Sequence, residues 1–160
     1  MPSTATSAPA PHADLEPRVT TPSPQGDLRF MLQQSAMPKF RVPCYRELAN
    51  RPGVRLKVLY GRMPLPNVDA PDLDAEFREM RRLYKNFMWD DVFLDKLQPG
   101  AFDATTVAWN TRFLSLIPSL LKARRAGIGT VLWGHGYSKR ESWLRKWIRR
   151  KVVDYADAIA

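Results

Sequence analysis

Two spacings of apolar residues alternate along residues 28–160. Short runs that are continuously apolar, or apolar at every second position, predict strands at Leu28–Gln34, Val54–Tyr60, Thr105–Trp109, Thr130–Trp133 and Ala158–Ala160. Between them, apolar residues recurring every three or four positions predict helices. Cys44–Arg51 is one, stopped by Pro52-Gly53. Leu73–Tyr84 is a second, with Leu73, Phe77, Met80 and Leu83–Tyr84 on one face and Glu76, Arg78, Glu79, Arg81 and Arg82 on the other. Phe113–Ala126 is a third, with Pro118 in its first turns and Gly127 as its C-terminal cap. The fourth, Lys139–Lys151, continues to Tyr155 as a stripe of Trp143, Leu144, Trp147, Ile148, Val152 and Tyr155, spaced to pack on a sheet. Pro64–Pro71 reads as a surface loop. Strand–helix alternation of this kind predicts an α/β fold with a doubly wound, parallel, Rossmann-like sheet.

Composition limits this to one domain. Residues 1–27 are rich in Pro, Ala, Ser and Thr, with Leu15 and Val19 as their only large aliphatics before the first strand, so they read as a disordered tail without a secretory signal. No run approaches the ~18–20 apolar residues of a membrane span. Cys44 is the only cysteine, which excludes an intramolecular disulfide framework and predicts a core-packed thiol in a cytoplasmic protein. With one cysteine and two histidines, neither a metal site nor a cofactor is expected.

Charge sharpens the picture. The net charge is +9, and the tail holds Arg18 against Asp14, Glu16 and Asp27, leaving +11 on residues 28–160. Lys139–Lys151 contains Lys139, Arg140, Arg145, Lys146, Arg149, Arg150 and Lys151 against Glu141 alone. Arg145, Lys146, Arg149 and Arg150 are thus candidates for contact with anions, whether lipid head groups or nucleic acid. No helix-turn-helix, zinc-finger or RNP pattern favours nucleic acid. Neither a Gly-x-Gly-x-x-Gly after the first strand nor a P-loop is present, so dinucleotide dehydrogenases and P-loop enzymes fit poorly. His135 stands between Gly134 and Gly136 at the carboxyl end of a strand, where open α/β sheets bind ligands. It reads as a site histidine, or as a loop residue capping backbone groups. Lys39 and Arg41 follow the first strand. Arg41 suits bidentate phosphate contact, and both also read as solvated loop charges.

The residues carry a resemblance. Gln33 through Leu48, QQSAMPKFRVPCYREL, resembles the first strand–loop–helix of the GT-B glycosyltransferases of the family-4 type. Pro38, Phe40, Arg41, Pro43, Tyr45 and Leu48 stand at matching places, with Phe40 where tyrosine is common. Gly53–Gly61 is similar to that family's second strand. Arg112–Ser115, Lys122–Gly127 and Val131–Gly136 resemble the helix and strand that follow, and Tyr155–Ile159 the strand ending the acceptor-side domain. The resemblance spans residues 28–160 and implies the N-terminal half of a GT-B architecture, incomplete.

It further implies transfer of a sugar from a nucleotide-sugar to a hydroxyl on a carbohydrate or lipid-linked acceptor, with retention and without a metal, in glycan or polysaccharide synthesis. His135 would meet the donor sugar or reacting centre, and Lys39 and Arg41 the acceptor or the donor diphosphate. The family's donor-binding domain, with its spaced pair of glutamates, is not in this sequence, so the chain is expected to be inactive alone. A cytoplasmic location, peripheral on the inner face of the cell membrane, would follow. The alternative is a non-enzymatic basic α/β module that binds nucleic acid or anionic membrane.

Overall fold

The computed structural model describes residues 26–62, 66–85, 87–134 and 143–160. Strand β1 (Leu28–Gln34) leads through a 3-10 turn (Lys39–Arg41) into helix α1 (Val42–Ala49) and strand β2 (Val54–Tyr60). Three short strands follow: β3 (Ala75–Phe77), β4 (Arg81–Tyr84) and β5 (Phe87–Trp89). Helix α2 (Asp91–Lys96) and strand β6 (Ala104–Ala108) come next, then helix α3 (Leu116–Arg125) and strand β7 (Gly129–Trp133). Helix α4 (Trp143–Val153) and strand β8 (Ala158–Ile159) complete the order.

Among the described residues, six strands form one sheet in the order β3-β2-β1-β6-β7-β8, every pair parallel, which is the doubly wound arrangement expected. β1 is central. The chain first builds outward on one side of it through β2 and β3, then returns to its other side with β6. Alternation along each strand separates two cores. Met31, Leu59, Val107 and Leu132 pack with Phe93 of α2, Leu116, Leu120 and Ala123 of α3, and Val152 of α4. On the opposite face, Leu32, Leu56 and Val58 pack with Val42 and Tyr45 of α1 and with Ala70 and Leu73. Helices on opposite faces are what right-handed crossovers produce when they diverge from a central strand. Gly127, at φ +72, ends α3 in the left-handed conformation, and the Ile128 amide returns to the Ala123 carbonyl at 2.9 Å.

The helix expected over Leu73–Tyr84 is absent. The chain there runs extended: Val58 donates to the Asp74 carbonyl at 2.8 Å, and Arg78 to the Tyr60 carbonyl at 2.8 Å, which adds β3 to the sheet. β4 then turns antiparallel onto β5 in a separate two-stranded ribbon. Leu73 and Met80 are buried as a helix face would require, whereas Phe77 between them is exposed. Helical spacing arose here from a bent extended path: Leu, Ala, Glu, Met and Arg favour a helix locally, but backbone pairing to a sheet edge and a buried ion pair at Arg78 outweigh that local preference. Cys44 is likewise not core-packed; its thiol lies on the exposed side of α1.

Candidate functional site

The strand order reverses direction between β1 and β6, and in open α/β sheets the carboxyl ends at such a point frame the binding crevice. β1 delivers two glutamines there. Alternation sends Gln33 to the α2–α3–α4 face and Gln34 to the α1 face, and both are buried.

Gln33 belongs to a buried polar knot in which the Arg78 Nη1 and Nη2 groups have no hydrogen-bond partner among the described residues. Its Nε2 donates to Asp90 Oδ2 at 2.7 Å, and its Oε1 accepts from the Ala108 amide at 2.8 Å. The Asp90 carboxylate also takes Arg78 Nε at 2.8 and 2.7 Å, lies 2.7 Å from Arg78 Nη2, and caps α2 by accepting from the Phe93 amide at 3.1 Å. The Asp90 amide donates to Ser115 Oγ at 3.2 Å, ahead of α3. Arg78 and Asp90 side chains are 0 % and 1 % exposed, so neither charge meets solvent. This knot ties β1, β6, α2 and α3 together at the carboxyl end of β1. Its carboxylate is saturated with donors, which suits it to hold geometry rather than to transfer protons.

Gln34 is differently placed. Its Oε1 accepts from Arg41 Nη1, while its Nε2 is buried with no hydrogen-bond partner among the described residues. Arg41 is half-buried at the end of the 3-10 turn, with its guanidinium 5.8 Å from the centroid of the exposed Phe40 ring. Burial pushes the Tyr45 phenol up from its ordinary pKa, and the nearby Arg41 charge pulls against that. The loop carrying these residues is pinned to the one after β2: the Met37 amide donates to Asn67 Oδ1 at 2.8 Å, Asn67 Nδ2 donates to the Gly61 carbonyl at 3.1 Å, and the Val68 amide donates to the Met37 carbonyl at 2.9 Å.

Across the switch point, Trp109 follows β6 and is partly buried against the α2–α3–α4 core. Arg149 of α4 lays its guanidinium 5.5 Å from a Trp109 ring centroid. The end of β7 closes tightly on this residue: a Cβ at Gly134 would come 3.0 Å from Trp109 Cβ and 3.2 Å from the Trp109 carbonyl oxygen. Glycine is favoured there by close approach, not by a left-handed backbone.

Of the residues singled out in the sequence, Arg41 meets Gln34 at the carboxyl end of β1 and Lys39 does not. Lys39 is exposed in the 3-10 turn, its ammonium without a partner among the described residues. His135 lies outside the described residues, as do residues 1–25 of the tail and Lys139–Arg140 of the basic run. The expected stripe on α4 is split. Val152 is fully buried and Arg149 turns in to Trp109, but Trp143 is 78 % exposed and Trp147 55 %, so the two tryptophans do not pack on the sheet. Lys146 and Arg150 are exposed with them, and the Arg145 side chain lies outside the described residues. Trp133 packs on the α1 side and Trp109 on the other, as wall aromatics of the two cores.

Sequence reasoning missed Gln33, Gln34, Arg78 and Asp90. A polar Gln-Gln pair terminating an otherwise apolar strand was the available signal for the first two, and an aspartate ahead of an apolar helix turn for the last. No group of three or more His, Cys, Asp or Glu side chains that could hold a metal ion occurs among the described residues. Nor is any described helix long and apolar enough to cross a membrane. No family model, curated protein or solved structure matches the chain.

Proposed function

We propose that this chain forms the acceptor-side surface of an enzyme that moves a sugar from a nucleotide-sugar to a hydroxyl group. One observation carries the reading: Gln34 and Arg41 meet at the carboxyl end of β1, at the switch point of the sheet, on the segment that resembles family-4 glycosyltransferases. The chemistry is suitable. Hydroxyls both donate and accept, a carboxamide does the same, and the buried Gln34 Nε2 is a donor awaiting an oxygen. Arg41 offers a planar fork to a phosphate or to adjacent hydroxyls, and the exposed Phe40 ring a flat apolar face to the C–H side of a sugar. In this reading the chain's own residues orient the acceptor and exclude water. The buried Asp90–Arg78 knot keeps the β1 end from yielding as the ligand is gripped.

Titration of the chain with soluble mono- and oligosaccharides, followed by amide and side-chain nitrogen–proton spectra, tests it. Shifts are expected at the Gln34 carboxamide, Arg41 Nε and Asn67 carboxamide. Gln34→Ala should weaken binding about tenfold, the value of one lost hydrogen bond near a charged group. If no saccharide moves these signals and a short nucleic acid duplex does, the non-enzymatic binding module is the correct description.

A further inference from the structure

The exposed residues of α4 are not scattered. Trp143, Lys146, Trp147, Arg150, Lys151 and Asp154 recur at steps of three and four, so they form one outward stripe on the helix and the turn after it, and all six are exposed. The inward side is already used: Val152 is fully buried, Val153 and Ala156 pack against the core, and Arg149 lies over Trp109. Helix α4 is therefore anchored by one side and presents two tryptophans, one turn apart, among three cations. The single acid of the stripe, Asp154, stands at its far end, 4.0 Å from Lys151. Two indoles left in water at such exposure forgo a large apolar burial, since each ring has about 150–250 Å² to bury.

We propose that this stripe is a docking surface for an anionic lipid bilayer. The composition states the partner. Indole rings settle at the boundary between head groups and acyl chains, where their flat apolar body and single N–H donor are both satisfied. Lysine and arginine beside them lay their methylene stems along the same boundary and hold their charges at the level of phosphate. The partner must be negative, because Lys146, Arg150 and Lys151 flank the tryptophans with no carboxylate between them. It must also be broad, because the presenting surface is a convex helix side. Single-stranded nucleic acid, which also likes aromatics beside cations, is bound along a concave, positively charged groove. The inference is independent of sugar transfer: it needs only α4, so either can fail without the other.

The experiment uses the full chain and vesicles of phosphatidylcholine alone or with phosphatidylserine. Co-sedimentation is expected with the anionic vesicles only, weakening as salt rises. Tryptophan emission should be quenched when the acyl chains carry bromine near the head groups. Trp143→Ala with Trp147→Ala, both at exposed positions, should abolish the quenching while the thermal melt is unchanged. Lys146→Ala and Arg150→Ala should each lower partition about fivefold, the effect of one basic residue near such a surface. Should the tryptophan pair be unstable when replaced, the two lysine and arginine variants decide alone. The proposal is overturned if these variants sediment like wild type. It also fails if Arg82→Glu with Tyr84→Ala in the β4–β5 ribbon removes binding instead, or if a single-stranded oligonucleotide displaces the vesicles at equal phosphate concentration.

Discussion

At the scale of single residues, the Arg78–Asp90 pair has the largest energetic consequence. A buried ion pair is costly to assemble, and removing one partner leaves the other charge stranded away from water. Arg78→Met is expected to destabilise the fold by about 3–5 kcal/mol in urea unfolding. The double variant Arg78→Met with Asp90→Asn should recover much of that loss, because the stranded carboxylate is what costs. Gln33 can still donate to the new amide oxygen. Surface pairs act through pH instead. Hydrogen bonds from Arg29 hold the Asp103 carboxyl below its usual pKa, and Lys96, with help from Lys57, does the same for Glu76. A depressed carboxylate contributes stability that is complete above its ordinary pKa of about 4 and is lost as pH falls through the lowered value. Melting temperature should therefore fall as pH drops from about 5 toward 3, and Asp103→Asn should flatten part of that slope. The effect will be small, since both partners are partly exposed and screened.

At the scale of elements, close approach decides what the ends of strands tolerate. Gly134→Ala would press its new methyl on the Trp109 backbone, and a loss of about 1–3 kcal/mol is expected in the same unfolding assay. Gly129→Ala, at the start of the same strand, meets nothing nearer than 3.5 Å and should be neutral or stabilising by up to about 1 kcal/mol. Strand positions were readable from sequence because β1, β2, β6 and β7 are central, and their apolar residues form short runs or fall at every second position. The β3–β5 stretch was not, because Leu73, Phe77 and Met80 imitate a helix face while the backbone follows a sheet edge and a ribbon. The candidate site was half readable. Arg41 stands next to its strand, and its partner Gln34 is seven residues away. Asp90 reaches Gln33 across 57 residues and Arg78 across 12, and no local pattern announces a contact of that kind. The split stripe of α4 was unreadable for a related reason: spacing places Trp147 and Val152 on a helix, but only tertiary packing determines which of them turns inward.

At the scale of the molecule, β8 is a two-residue edge strand whose Ile159 is 51 % exposed. Unprotected edges invite pairing with other chains. The 160-residue chain is expected to self-associate with rising concentration in analytical ultracentrifugation, and Ile159→Lys to suppress that association without lowering the melting temperature. The central position of β1 has a consequence in time. Its partner β2 begins 26 residues later in the register, whereas Thr105 and Thr106 reach β1 across 73–74 residues and Ala108 reaches Gln33 across 75. Closing the longer loop is slower, because its entropy must be lost before any contact compensates. Pulse-labelled hydrogen exchange during refolding should find β2 amides protected before those of β6, and simultaneous protection would mean that the sheet assembles in one step. Along a chain that folds in this order, the meeting of Gln33 with Ala108 comes after β2 is in place, and the carboxyl end of β1 is finished later than its start.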